Sequence, residues 1–317
     1  MLLRPEVMRP SAIPLFLVLL AGACSHTADR GTVEPSQAEA VVKSARVRAL
    51  SCSFFEWIAF EGVGPYAAMR IPVGIGGSTY WFQLDTGADG SVLYGSSIAE
   101  KNGWLIEGDA RFARVESLTL GGMTLPAAQF GIRQNRTPSE QTVGTIGLNF
   151  LVGKMVMLDF PQRRFCLAPA FDPPLEFVVG VAFVPAELRD GKLFVNPTVA
   201  GRAIEDLFFD TGASAFGVHV DFERWKELTG LSSADQGRAV TVPSWGTEVT
   251  IVSADASGSF ELGEFVTARP AVSFNADSPV TFAKWPFAVQ GLIGNVMFLD
   301  SIIVLDLSAQ PKFGMRP

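Results

Sequence analysis

The sequence predicts an all-β chain built from two homologous halves, on three observations. First, short apolar runs rich in Val, Ile, Phe and Leu are separated by Gly, Pro, Asn and Asp, the pattern of strands and turns. Second, a block recurs. Val73 to Leu93 reads VGIGGSTYWFQLDTGADGSVL and Thr198 to Val218 reads TVAGRAIEDLFFDTGASAFGV. Third, a later block recurs in the same order. Gly144-Thr145-Ile146-Gly147 leads to MVMLDF, and Gly291-Leu292-Ile293-Gly294 leads to IIVLDL. The internal spacings match. Gly76 and Gly201 each lie nine residues before an Asp, Asp85 and Asp210, and Gly147 and Gly294 each lie twelve before Asp159 and Asp306. Two blocks in one order with equal spacing indicate duplication.

Length and composition fit this picture. A chain of 317 residues with 48% apolar content can bury a large core, and its length suits two domains or one domain of two lobes. A charged fraction of 18% and a net charge of −7 come without any Lys/Arg block, so nucleic acid is not an expected partner.

The elements are expected in order. Residues 1–23 look like an export signal. Arg4 and Arg9 precede the apolar stretch Ala12 to Ala21, which is too short to span a bilayer, and Ala21-Gly22-Ala23 stands directly before Cys24. This resembles a bacterial lipoprotein signal with Cys24 as the lipidated residue; an ordinary secretory signal is the alternative. Residues 24–50 are polar and aperiodic, a tether between a membrane anchor and a globular body. The stretch 25–65 is open to three readings: tether, propeptide or added edge strand. Cys52 and Cys166 remain, either paired in an oxidising compartment or as two buried thiols. Asn135-Arg136-Thr137 matches a glycosylation sequon, without meaning in a bacterial export setting.

The N-terminal half, residues 51–170, offers strands at Ala67–Ile75, Trp81–Leu84, Val115–Leu120 and Met155–Phe160, with a hairpin turn at Gly121-Gly122. The C-terminal half, residues 171–317, offers Leu193–Val199, Asp206–Phe209, Glu248–Ser253 and Ile302–Leu307. A helix is expected at Ser97–Asn102 and another at Asp221–Leu228, with Asp221 as N-cap and Gly230 past its end. Pro173-Pro174 marks the join.

Each Asp-Thr-Gly carries a chemical requirement. An apolar strand running into an Asp brings a carboxylate toward an interior, which is costly unless it is paired or hydrogen-bonded. Gly two residues on permits a tight loop, and Thr between them can brace backbone. Asp-Thr-Gly-Ala after an apolar strand, followed downstream by Ile-Gly, resembles the aspartic peptidases, and especially their retropepsin-like branch. Two copies in one chain resemble the bilobal, pepsin-like arrangement, over most of Tyr66–Phe313.

The resemblance implies two homologous β-barrel lobes with an interlobe cleft, and an aspartic endopeptidase that hydrolyses peptide bonds. Asp85 and Asp210 would be catalytic and meet between the lobes. Thr86, Gly87, Ala88, Thr211, Gly212 and Ala213 would support the loops, each Thr bonding to the opposite loop's backbone. Ile146-Gly147 and Ile293-Gly294 would form the ψ-shaped turns beside them. No cofactor and no metal are implied. The expected partners are an extended polypeptide substrate and, through Cys24, a membrane surface; the expected state is a monomer in the bacterial periplasm.

Ala88 and Ala213 stand where pepsin-like enzymes often carry Ser or Thr. Losing a donor to the ionised carboxylate should raise the pair's lower pKa, giving activity at mildly acidic to near-neutral pH. No Tyr stands at a flap-like distance after Asp85, so the expected flap is Leu105–Val115, with a matching candidate around Ser244-Trp245-Gly246. Asp159 and Asp306 are expected to make turn or ladder contacts. Trp104, Phe130, Trp245 and Phe274 are read as core or rim rather than cleft. The alternative function is a peptide-binding envelope lipoprotein, weakly active or inactive, on the same fold.

Overall fold

The computed structural model describes residues 50–134, 142–244 and 247–317. The signal, the tether and Cys24 lie outside the described residues, as do the sequon, Trp245 and Gly246. Within them the chain is mostly β, and no helix is long and apolar enough to cross a membrane.

The first half supplies β1 (Cys52–Phe54), β2 (Glu56–Phe60), β3 (Gly64–Ile75), β4 (Ser78–Leu84), β5 (Val92–Tyr94), β6 (Leu105–Glu107), β7 (Phe112–Leu120), β8 (Met123–Arg133), β9 (Gly144–Ile146), β10 (Lys154–Asp159) and β11 (Arg164–Pro169). The second half supplies β12 (Ala182–Pro185), β13 (Glu187–Arg189), β14 (Lys192–Val195), β15 (Thr198–Val199), β16 (Arg202–Ala203), β17 (Leu207–Phe209), β18 (Val218–Val220), β19 (Arg238–Ser244) and β20 (Thr247–Asp255). It continues with β21 (Phe260–Leu262), β22 (Phe265–Thr267), β23 (Ala271–Asn275), β24 (Gly291–Ile293), β25 (Ile302–Asp306) and β26 (Lys312–Arg316). Helix α1 is Ser97–Lys101 and α2 is Phe222–Thr229.

The duplication seen in sequence reappears in strand order. One eight-stranded sheet runs β2-β3-β4-β9-β5-β8-β7-β6, and another runs β13-β14-β17-β24-β18-β23-β20-β19. Position by position the directions agree. β4 is parallel to β9 as β17 is to β24, and β5 is parallel to β8 as β18 is to β23. A four-stranded sheet, β16-β15-β21-β22, completes the second half where β3 bends onto β7 in the first.

The turns follow from their residues. Gly121 (φ 53°) and Gly122 (φ 83°) join β7 to β8 with Leu120 opposite Met123, a two-residue hairpin needing positive φ at both positions. Asp221 precedes α2, but its carboxylate does not cap that helix. It accepts from the backbone N–H groups of Thr281, Phe282 and Ala283 at 2.7, 2.9 and 3.0 Å, tying the strand end to the loop at 281–283. Three donors there satisfy the charge better than one helix terminus would.

A six-stranded sheet, β1-β11-β10-β25-β26-β12, takes strands from both halves. Its central pair is the two closing strands, with Met157 opposite Val304. Cys52 and Cys166 are register partners in β1 and β11 and form a disulfide. Asp159 is fully buried and salt-bridged to Arg164 at 2.6 Å, and it also accepts from the Gln162 N–H at 2.9 Å; Asp306 accepts from the Ser308 N–H at 3.0 Å. Both therefore hold turns. Phe130 and Phe274 are core residues, and Trp104 packs against the core.

Candidate functional site

Strands β4 and β17 each end in an Asp because the strand stops pairing there. Leu84 lies opposite Ile146 and Phe209 opposite Ile293, each in parallel register. The next backbone N–H groups, of Asp85 and Asp210, donate to the carbonyls of Ile146 and Ile293 at 3.0 and 2.9 Å. Beyond this each loop turns tightly. Leu148 N–H donates to the Ala88 carbonyl at 2.8 Å and Gly294 N–H to the Gly217 carbonyl at 3.0 Å, so the Ile-Gly blocks pack beside the loops.

The two loops are locked to each other by their threonines, both fully buried. Thr86 Oγ1 donates to the Phe209 carbonyl at 2.8 Å and accepts from the Thr211 N–H at 3.0 Å. Thr211 Oγ1 donates to the Leu84 carbonyl at 2.9 Å and accepts from the Thr86 N–H at 3.0 Å. Each hydroxyl thus satisfies one donor and one acceptor of the opposite chain segment, leaving no buried group of the pair unmet. Glycine is required on both sides. A Cβ on Gly87 would lie 2.5 Å from the Asp210 carboxylate oxygens, and one on Gly212 would lie 2.5 Å from Asp85 Cγ.

The carboxylates of Asp85 and Asp210 therefore face each other within hydrogen-bonding reach. Burial, then the Asp210 charge, holds the Asp85 pKa well above the ordinary carboxylate range. Burial also raises Asp210, opposed by the hydrogen bond with Asp85, by the Gly212 and Ala213 N–H groups at 2.8 and 3.3 Å from Oδ1 and by the nearby Lys192 charge; Gly87 and Ala88 N–H groups oppose the rise of Asp85 in the same way. Lys192 is itself buried, with its ammonium 5.9 Å from the Trp285 ring centre. The pair thus holds one proton at its most stable, with Asp85 the better holder. Ala88 and Ala213 offer no side-chain donor, and the Ser214 hydroxyl turns away to the Thr211 carbonyl at 2.6 Å.

Both carboxylates open into a cavity of about 620 Å³ lined from both halves. From the second half come Phe208, Phe216, Phe282 and Trp285, an aromatic wall on the Asp210 side. From the first half come Ile58, Phe60, Val63 and Ala67, all in the β2–β3 hairpin. The expected flap is thereby corrected. Leu105–Val115 does form a hairpin, β6–β7, but it occupies the far end of its sheet and lines no part of this cavity. The covering element of the first half is β2–β3, whose first strand falls in the stretch 25–65 that sequence reading left open as tether, propeptide or added edge strand. Its signals were Gly62 and Gly64, both at positive φ, between two apolar runs. Opposite it stands the β19–β20 hairpin, which contributes Val242, Val249 and Ile251; Trp245 and Gly246 of the expected second candidate lie outside the described residues. The hairpins touch: a Cβ on Gly62 would rest 3.5 Å from Val240 Cγ2.

His219 is a cavity residue that sequence reading left without a role. It sits on β18, buried, with Nδ1 2.8 Å from Ser273 Oγ, and burial lowers its pKa to about 4. No protein-family model and no curated protein matches this chain.

Proposed function

We propose that the protein is an aspartic endopeptidase of two β-barrel lobes, with Asp85 and Asp210 as its catalytic pair. The observation that carries this reading is the crossed threonine lock. It holds two carboxylates, one from each homologous half, face to face at the floor of a cavity, with a glycine under each.

The chemistry follows from the unequal environments. Two buried carboxylates in contact resist double ionisation, so the pair shares a proton. Asp85 keeps it. Asp210, which takes the hydrogen bond from Asp85 and lies near the Lys192 charge, acts as general base on a water between the carboxylates. Asp85 donates a hydrogen bond to the scissile carbonyl as its oxygen gains charge. The water's proton passes to Asp210 and on to the leaving amine, while the tetrahedral intermediate collapses. An extended substrate would lie beneath the β2–β3 and β19–β20 hairpins, whose backbones offer strand-like pairing.

Export to an oxidising compartment is part of the proposal, since a Cys52–Cys166 disulfide persists there and not in a reducing cytosol. Lipid anchoring at Cys24 rests on sequence alone.

The test is cleavage of a mixed peptide library from pH 3 to 8 by wild type, Asp85→Asn and Asp210→Asn. Cleavage by wild type, abolished in both variants, supports the reading. Because both pKa values are raised and neither loop supplies a hydroxyl donor, the optimum is expected between mildly acidic and near-neutral pH; a strongly acidic optimum would contradict that expectation. Wild type that binds peptides but cleaves none at any pH would instead identify a peptide-binding module.

A further inference from the structure

The aromatic wall beside Asp210 contains one titratable group. His219 lies between Phe216 and Phe282, with ring centres 5.8 Å away on each side, and all three residues line the cavity. Its hydrogen-bonding state can be worked out from its neighbours. Ser273 Oγ has two partners, His219 Nδ1 at 2.8 Å and the Val218 carbonyl at 3.3 Å. A carbonyl only accepts, so the hydroxyl proton points to Val218. Ser273 then meets the imidazole with a lone pair, and Nδ1 must carry the hydrogen.

That fixes the other nitrogen. The ring is neutral, because burial lowers its pKa to about 4. With Nδ1 protonated, Nε2 is an acceptor. Among the described residues the only fully enclosed polar side-chain atom without a partner is Asn295 Oδ1, so Nε2, which has no protein partner, is reachable from the cavity. The result is an acceptor set in an aromatic wall, within a cavity whose lining elsewhere includes Gln83, Asn275, Thr281 and the two carboxylates.

We propose that this pocket is a specificity subsite for an aromatic side chain carrying a hydrogen-bond donor, tyrosine or tryptophan, with His219 Nε2 receiving the donor. Phenylalanine fits the same walls but leaves the acceptor desolvated and unpaired, the situation in which a binding site discriminates most strongly. Only the identification of the occupant as a peptide side chain rests on the peptidase reading.

The experiment measures binding separately from cleavage. Blocked Ala/Val peptides of one sequence, each with a single Trp, Tyr, O-methyltyrosine, Phe or Leu, are titrated calorimetrically into the Asp85→Asn chain. Trp and Tyr peptides are expected to bind about tenfold more tightly than Phe and O-methyltyrosine peptides, the worth of one neutral hydrogen bond. The gap should close when His219→Phe is added, a change that keeps a ring in the space. Equal affinities for Trp, Tyr and Phe would overturn the proposal, as would a gap that survives His219→Phe, or no binding of any peptide. Should His219→Phe fail to fold, the Tyr against O-methyltyrosine comparison decides alone, since it needs no change in the protein. Wild-type cleavage of the same peptides is followed in parallel. Selective binding without cleavage would remove the peptidase reading and leave the subsite standing; cleavage without selectivity would do the reverse.

Discussion

At the scale of single residues, three buried titratable groups pull stability in opposite directions. Asp85 and Asp210 have pKa values raised in the fold, so the folded chain holds their proton more tightly than the unfolded chain does. Their contribution is most favourable below the unfolded carboxylate pKa and is lost as pH rises through the folded values. At pH 7 the pair is therefore a stability cost, and Asp85→Asn should raise the urea midpoint while abolishing cleavage. His219 has the opposite sign. Its pKa falls from 6.5 to about 4, so its contribution is complete above pH 6.5 and is lost between there and pH 4, by about 3 kcal/mol. Asp221 opposes that shift and limits it. Urea midpoints at pH 7 and pH 4 should therefore fall more steeply in Asp85→Asn than in Asp85→Asn/His219→Phe. Equal slopes would show that His219 is protonated in the fold.

The two Asp-Thr-Gly loops and their Ile-Gly partners were legible in the sequence because backbone chemistry restricts each position. A face-to-face carboxylate pair leaves no room for a Cβ opposite it, and only a hydroxyl on a short side chain can donate and accept across the gap. His219 was not legible. A histidine in VHV alternation reads the same whether its ring meets Ser273 or a neighbouring strand, and Ser273 is 54 residues away.

At the scale of elements, what covers the cavity was the hardest feature to read. Cys52–Phe60 lies beyond the repeated blocks, so duplication gave no hint of it. Its role depends on pairing with β3, which local pattern does not specify. The hairpin is anchored at its base: Arg70 and Glu56 are salt-bridged at 2.5 Å, and Trp57 stacks on Phe160 with centres 5.9 Å apart. A register shift between Ile58 and Phe60 bends it. Its tip approaches β19 at Val240. A strand pair fixed at the root, with a glycine at its tip, is suited to lifting for entry into the cavity. Gly62→Cys with Val240→Cys should form a disulfide between the hairpin tips. Oxidised, this variant is expected to lose cleavage of folded and peptide substrates alike; reduced, it should recover. Full activity in the oxidised form would mean that substrate does not enter between these hairpins. The strain of Cys at the positive φ of Gly62 is about 1 kcal/mol, small enough for the variant to fold.

At the scale of the whole molecule, duplication has not produced two independent bodies. One contiguous buried cluster runs from Phe55 through Ile146 and Leu193 to Met315, drawing on both halves. The six-stranded sheet places β10 and β25 back to back at its centre, so neither half can leave without exposing an apolar strand edge. The threonine lock adds four buried hydrogen bonds between the halves, in the loops that carry the carboxylates. The geometry of the carboxylate pair and global stability thus depend on the same interface. Denaturant unfolding should accordingly give one transition, coincident by tryptophan fluorescence and far-ultraviolet circular dichroism. The Cys52–Cys166 disulfide ties the first strand of that central sheet to its neighbour across a separation of 114 residues. Cys52→Ser/Cys166→Ser should lower stability by about 2–5 kcal/mol while keeping a single transition, because the bond restrains the unfolded chain rather than joining the halves. Two resolved transitions in either protein would mean that the halves fold separately, and the face-to-face carboxylates would then depend on docking rather than on folding.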